Sequence, residues 1–546
     1  MRVRGSILVL LLGAAPVVAQ QPAAGGAPPI TAGEIDGHLR FLASDLLEGR
    51  APATRGGRLA TEYIASELRA YGLKPGNGDS YLQELPIELV TLQPRTLRVA
   101  ASGKATAALK QPDDVVVWAG SPAAESSAKG ELVFVGYGAK APEYRWDDFK
   151  GMDLKGKILL VLVNDPPATA KEPSLFGGKA MTYYGRWTYK FEEAERQGAA
   201  GALIVHTTER AGYPWHTVVG SWSEEQRMLP RPADAPAPLA FRGWVTDSAA
   251  TALLKQAGLD LAKLRKQAES RSFKPVATGI TMDVGFRNDV AHLKSENVVG
   301  IVPGTDPKLK DTYVVLSSHW DHFGIGPVVD GDSIYNGALD NASGVSDLLA
   351  VARAAAQGAP TPRSLLFAFV TAEESGLLGS QYFAEHPTVP LASLVANVNV
   401  DGGNLLGRVN DLVVLGQDKS SLGAELLKLI SPDGMRFTPE EHPEAGYFYR
   451  SDHFSFAKQG VPSVSIGEGY DFVGKPAGWG KAQEEDYTAH RYHQPSDAYR
   501  PDFDLTGAVQ LSDIVLGFAR QLASSPTLPT WAPTAEFKRK AEPVSQ

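Results

Sequence analysis

The chain has 546 residues, is 43% hydrophobic and 21% charged, and carries a net charge of −9. Its length exceeds what one core accommodates and predicts roughly two to three domains, and its acidic balance lacks the basic footprint of a nucleic-acid binder, so no nucleic-acid partner is expected. No cysteine occurs, which excludes disulfides and thiolate metal sites and leaves His, Asp and Glu as the available ligands.

Met1 to Ala19 carries Arg2 and Arg4, the apolar run Ile7 to Leu12 and a small-residue end at Val17-Val18-Ala19. This is the pattern of a secretory signal peptide (1–19), and its apolar core is short for a membrane span. The mature protein is therefore expected to be exported, periplasmic or secreted, with no stable membrane insertion after signal cleavage. Residues 20–30, rich in Ala, Gly, Pro and Gln, read as a flexible leader. Thr31 and Glu34 fit a capping box, and Ile35, Leu39, Leu42 and Leu46 follow at helical spacing. Ala60 to Tyr71 predicts a second amphipathic helix ended by Gly72, and Tyr81 to Val117 alternates as strands do.

Around Ala119 to Gly130 the composition shifts to Ser, Ala, Gly and Pro, as at a domain boundary. Strand-like Glu131 to Val135 and Lys157 to Val163, helical Phe191 to Gln197 and the turn Gly198 to Gly201 before Ala202 to His206 predict a smaller α/β insert over residues 121–274. Lys274 to Phe286 reads as a strand returning to the first domain. Asn297 to Pro303 and Thr312 to Ser317 are expected to be a pair of buried strands joined at Pro303-Gly304. Then come a helix (Ser343 to Gln357), a strand (Leu365 to Val370), a helix to His386, a strand (Leu394 to Val400), a helix (Leu422 to Ile430), a strand (Ser463 to Ile466) and a last helix (Leu505 to Leu522). The Pro-rich, charged tail 524–546 is expected to be disordered. This alternation predicts an α/β fold: a mixed, mostly parallel sheet flanked by helices, built from residues 31–120 and 275–523 and carrying the insert.

Several strands end in groups able to do chemistry. The unbroken apolar run Leu365 to Val370 is followed at once by Glu373 and Glu374, and the carboxyl ends of strands are where open α/β sheets bind ligands; a solvated first helical turn explains the same pair of acids. The strand Thr312 to Ser318 runs into His319-Trp320-Asp321-His322, where His319 and Asp321 share a face and Asp321 is placed to orient the imidazole. Asp340 precedes a helix and could be only its cap. Asp401 follows another strand, and Tyr492-His493 lies in a loop. Imidazole and carboxylate without thiolate suit zinc or another divalent transition ion, and two ions ~3.5–4 Å apart would activate a water and clamp a carbonyl.

His319-Trp320-Asp321, Gly337 to Gly344 (GALDNASG), Glu373 to Ser380 (EESGLLGS), Asp401 and Tyr492-His493 together resemble the signature of the two-zinc aminopeptidases of metallopeptidase family 28, which also contains glutamate carboxypeptidase and the transferrin receptor. Leu46 to Arg50 resembles a further family stretch. The resemblance implies two zinc ions per chain and a peptide substrate. It implies that Asp340 bridges the metals, that His319 and Asp401 hold one and Glu374 and His493 the other, and that Glu373 is the general base. Asp321 would stand behind His319, and Tyr492 would stabilise the oxyanion. Tyr449 to Phe454 resembles a stretch near the family's pocket, with a substrate-wall role. His322 and His453 do not match ligand positions and read as structural or pocket-lining. The insert, through Glu131 to Pro142, Trp146 to Asp148, Arg186 to Lys190 and Gly198 to Gly201, resembles a protease-associated domain that shapes or covers a cleft, or merely stabilises. An aminopeptidase is the implied activity; a carboxypeptidase or glutaminyl cyclase on the same fold, and a noncatalytic receptor-like protein, are the alternatives.

Overall fold

The structure, a computed structural model, describes residues 28–104, 106–223 and 225–539. The expected signal peptide, most of the leader and the end of the tail lie outside the described residues. Among the described residues no helix is long and apolar enough to cross a membrane.

The main sheet contains β1 (Leu82–Leu92), β2 (Val276–Val302), β3 (Tyr313–His319), β4 (Ser364–Val370), β5 (Leu394–Asn399), β6 (Asp411–Leu415) and β7 (Ser463–Glu468). Pairing registers give the spatial order β1-β2-β4-β3-β5-β7-β6. The strands β4, β3, β5 and β7 run parallel, and antiparallel neighbours flank them at both edges. Every residue of β4 is buried, which is why its sequence is continuously apolar rather than alternating. On one face pack α1 (Ala32–Leu42), α2 (Arg55–Tyr71), α3 (Gly344–Gln357) and α4 (Thr506–Ser524). The Thr31 side chain caps α1 by accepting from the Glu34 N–H at 3.2 Å, as the capping-box spacing predicts, and Gly72, with φ +89°, closes α2. Phe383 and Phe456, from two short helices, cover the other face.

The strands expected to be neighbours, Asn297 to Pro303 and Thr312 to Ser317, do not pair with each other: β4 lies between β2 and β3. The central slot buries both faces and both edges of the most apolar strand. Gly304 makes room for the return, since a Cβ there would lie 2.4 Å from the Pro362 carbonyl oxygen. The strand expected at Lys274 to Phe286 and the one at Asn297 to Pro303 are one continuous strand, because the polar residues between them pair along β1.

The amino-terminal half of β2 belongs to a second sheet, ordered Arg98–Gly103, β2, Glu125–Phe134, Ile158–Leu162, Gly201–His206, Phe241–Thr246, Val115–Ala119. Apolar clusters line both of its faces, one around Phe134 and Phe241 and one around Trp118, Phe191 and Trp244. The boundary expected at residue 120 is corrected here. Val115–Ala119 is wholly buried and pairs with Phe241–Thr246, so the Ser- and Ala-rich stretch after it is a turn inside this second unit. The tail is also corrected: residues 525–539 are packed, with Phe537 only 8% exposed and Trp531 Nε1 donating to the Gly460 carbonyl at 2.9 Å. Scattered aromatics anchor this segment without periodicity, so its composition alone reads as disorder.

Candidate metal centre

Parallel β4, β3 and β5 are adjacent, so their carboxyl ends open on one side of the sheet, where the chain passes from one flank of β3 to the other. Such switch points form crevices. β3 ends at His319 and leads to Asp321 and His322; β4 leads to Glu373 and Glu374; β5 leads to Asp401. The turn after β4 is tight. Gly379 N–H bonds the Thr371 carbonyl at 2.9 Å, and a Cβ at Gly379 would sit 2.2 Å from that oxygen. Asn297 braces the turn by accepting from Thr371 N–H at 3.0 Å and donating to the Gly379 carbonyl at 2.9 Å. Asp340 stands just before α3, held by Asp497, whose carboxylate accepts from the Leu339 and Asp340 N–H groups at 3.0 and 3.1 Å.

These segments bring the sequence-predicted ligands together. His319 Nε2 lies 3.1 Å from Asp401 Oδ1 and 3.3 Å from Asp340 Oδ1. The other oxygen of Asp340, Oδ2, lies 3.3 Å from His493 Nε2, which is also 3.3 Å from Glu374 Oε2. Asp340 therefore faces a different histidine with each oxygen. Glu373 groups with His319 and Glu374 closely enough for all three to hold one cation. Asp321 meets His319 mainly through its backbone: its carbonyl oxygen is 3.2 Å from His319 Nδ1 and its carboxylate 3.8 Å. A proton on Nδ1 aimed at that carbonyl would leave Nε2 free for a metal. The Asp321 carboxylate accepts instead from the Glu373 N–H at 3.1 Å, tying the HxD strand end to the Glu-Glu turn. The Tyr492 ring stacks on His493 at 3.7 Å, and Tyr492 remains 47% exposed at the mouth of the site.

The electrostatics are those of crowded acids. Burial, joined by repulsion from Asp401 and Glu374, pushes the Glu373 carboxyl well above its ordinary value, and burial followed by Asp340 does the same to Glu374. Burial disfavours charge on His319, but Asp401 and Asp340 overcome it and hold its imidazolium well above the usual range. Protonation of the imidazoles would take up the positive charge this acid cluster favours. Divalent cations would meet the same demand while letting the imidazoles bind as neutral ligands. The residues fit that role by an independent sign: His493 Nε2 is buried between two carboxylates without a directed hydrogen bond, as a nitrogen placed for a metal would be.

Other participants carried little or no sequence signal. His322, read as structural or pocket-lining, places Nδ1 2.7 Å from Glu374 Oε1 and forms with Asp340 and Glu374 a third group able to hold a cation. Burial drives its imidazole down to about 4, so it is neutral. Ser451 donates to Asp401 Oδ2 at 2.5 Å. Arg50, 1% exposed, donates to the carbonyls of Leu42, Trp320, Asn336 and Gly337 and so fixes the chain flanking His319 and Asp340. Its only signal was the Leu46 to Arg50 stretch. His453 is fully buried with neither ring nitrogen hydrogen-bonded.

Residues 297–519 match peptidase family M28. Among curated proteins, aminopeptidase YwaD of Bacillus subtilis is 27% identical over 206 residues, 37% of this chain and 40% of that protein. A probable leucine aminopeptidase 2 of Aspergillus oryzae is 27% identical over 246 residues, 43% of this chain and 45% of that protein. The chain thus spans less than half the length of these two relatives. Among solved structures, an aminopeptidase from Aneurinibacillus sp. strain AM-1 aligns over 94% of this chain and 98% of its own at 21% identity, with a TM-score of 0.49. The chain carries, over residues 297–519, a peptidase family M28 domain.

Proposed function

We propose that the protein is an exported zinc aminopeptidase that removes residues from peptide N-termini. The observation that carries this reading is the divided carboxylate of Asp340, each oxygen 3.3 Å from a separate histidine, at the end of the parallel strands of a peptidase family M28 domain. His319 and Asp401 would hold one zinc, Glu374 and His493 the other, and Asp340 both. Zinc held there would supply the Lewis acidity that polarises a peptide carbonyl and acidifies a water.

The chain's own groups do the rest. Glu373, grouped with His319 and Glu374, is placed to take a proton from the attacking water and pass it to the leaving amine. Asp321 holds Glu373 by its N–H and His319 by its ring. Tyr492, beside His493 and open to solvent, offers a hydroxyl to the oxygen on which charge develops. The second unit, as a protease-associated module, would shape the approach to the site. A specific observation favours one variant: His322, 2.7 Å from Glu374, competes with His493 as the second histidine ligand.

The test incubates the purified protein with a peptide library whose N-termini are free or acetylated, and sequences what is lost. Stepwise loss from free N-termini alone supports the reading. Loss from C-termini, or cyclisation of N-terminal glutamine, overturns it.

A further inference from the structure

The wall of the site beside Asp401 is held from behind by residues 532–537. Ser451, which donates to Asp401, itself accepts from Asn399 Nδ2 at 2.9 Å. Two residues earlier Tyr449, 2% exposed, donates its hydroxyl hydrogen to Glu536 Oε1 at 2.5 Å. Lys419 Nζ donates to Glu536 Oε2 and to the Tyr449 hydroxyl, each at 3.1 Å. From the second unit, the Tyr183 N–H reaches Glu536 Oε1 at 3.3 Å, and the Tyr183 ring packs 5.1 Å from that of Phe454. A single carboxylate therefore joins the wall of the site, the segment before the helix Leu422–Ile430 and the second unit.

Glu536 is itself firmly placed. Ala532 N–H bonds the Lys419 carbonyl at 2.9 Å, and the Phe537 ring lies 6.0 Å from Phe454 and 6.3 Å from Phe448. Burial works against its charge, but Lys419 and the Tyr449 hydroxyl outweigh burial and hold its carboxyl below the ordinary value. Without the carboxylate, the Tyr449 hydroxyl loses its acceptor and the Lys419 ammonium loses one of its two, in a largely dry contact. The freed chain at 449–451 then passes its displacement to Asp401 through Ser451.

We propose that Glu536 is a positioning residue for the metal centre, fixing Asp401 through Tyr449 and Ser451 and locking the adjacent wall against the second unit. The rate readout rests on the aminopeptidase reading; the metal and exchange readouts do not. The test uses full-length Glu536→Ala, Glu536→Gln and Tyr449→Phe. Glu536→Ala weakens zinc affinity about 10–100-fold, measured by competition with a chromogenic chelator, and amide exchange at residues 449–452 accelerates. Its kcat falls on the order of 10²-fold with a smaller change in KM. Glu536→Gln, which keeps an acceptor, restores part of each effect. Tyr449→Phe, which loses one hydroxyl and no volume to speak of, reproduces the zinc effect, and adding Glu536→Ala to it costs little more. Wild-type zinc affinity and exchange in folded Glu536→Ala overturn the proposal; should that variant not fold, wild-type zinc affinity in Tyr449→Phe does so. A wild-type protein that binds zinc but hydrolyses no peptide sinks the aminopeptidase reading and leaves this one to be decided by affinity and exchange.

Discussion

Replacing Arg50 with Met removes the guanidinium while keeping most of the stem's volume. The side chain is 1% exposed and its donors reach four backbone carbonyls, those of Leu42, Trp320, Asn336 and Gly337, at 2.5–3.0 Å. Burial lowers the guanidinium only to about 10, so it stays cationic at neutral pH and faces Asp321, Asp497, Asp340 and Glu374 across the loops it binds. The Gly337 carbonyl keeps the Ala342 N–H at 3.1 Å, so three carbonyls are left unpaired; at ~1 kcal/mol or more each they give ~3 kcal/mol, and a water admitted to the vacated space re-pairs one, leaving ~2 kcal/mol. Urea unfolding of metal-free protein at neutral pH measures the difference. Arg50→Lys, which keeps the charge but cannot reach all four acceptors, falls between Met and wild type. A metal-free Arg50→Met protein within ~0.5 kcal/mol of wild type would refute the reasoning, because it would mean the loops around His319 and Asp340 hold themselves.

Two further outcomes follow from the site and from the helical face behind it. If His493 is the second histidine ligand, His493→Ala loses about one zinc per chain while His322→Ala keeps both, as read by metal analysis after dialysis; the reverse pattern would move the ligand to His322. His38, hydrogen-bonded to the Tyr63 and Tyr71 hydroxyls at 2.7 and 3.0 Å, has its imidazole lowered from 6.5 by burial. A lowered folded value means that its stabilisation is intact above pH 6.5 and lost as the pH falls through the folded value. Urea midpoints should therefore drop on acidification below that range, and His38→Gln should flatten that part of the profile.

Much of the candidate centre was legible because its predicted ligands sit where strands stop. An apolar run such as Leu365 to Val370 marks a buried strand by composition, and the acids after it have no packing reason to be there. His319, Asp340, Glu373, Glu374, Asp401 and His493 each follow this logic or the family signature. What the sequence hid lies in pairings between distant segments. That β4 separates β2 from β3 depends on competition for the central slot, which local pattern does not encode. Val115–Ala119 looks the same whichever sheet receives it. Trp531, Glu536 and Phe537 are held by contacts to Gly460, to Tyr449 and Lys419, and to Phe448 and Phe454, with no period to betray them. His322 matches no ligand position of the family signature, and a histidine after a strand is ordinary until Glu374 is found 2.7 Å away.

The most direct test of the two-metal aminopeptidase reading is Glu373→Gln, assayed for bound metal and for hydrolysis of a free N-terminal peptide on the same preparation. The reading predicts about two zinc ions per chain, as in wild type, with hydrolysis abolished, since the amide keeps the shape of the site but cannot accept the water's proton. Retention of most of the rate would contradict the assignment of the general base, and a wild-type stoichiometry near one would contradict the sharing of Asp340 between two metals.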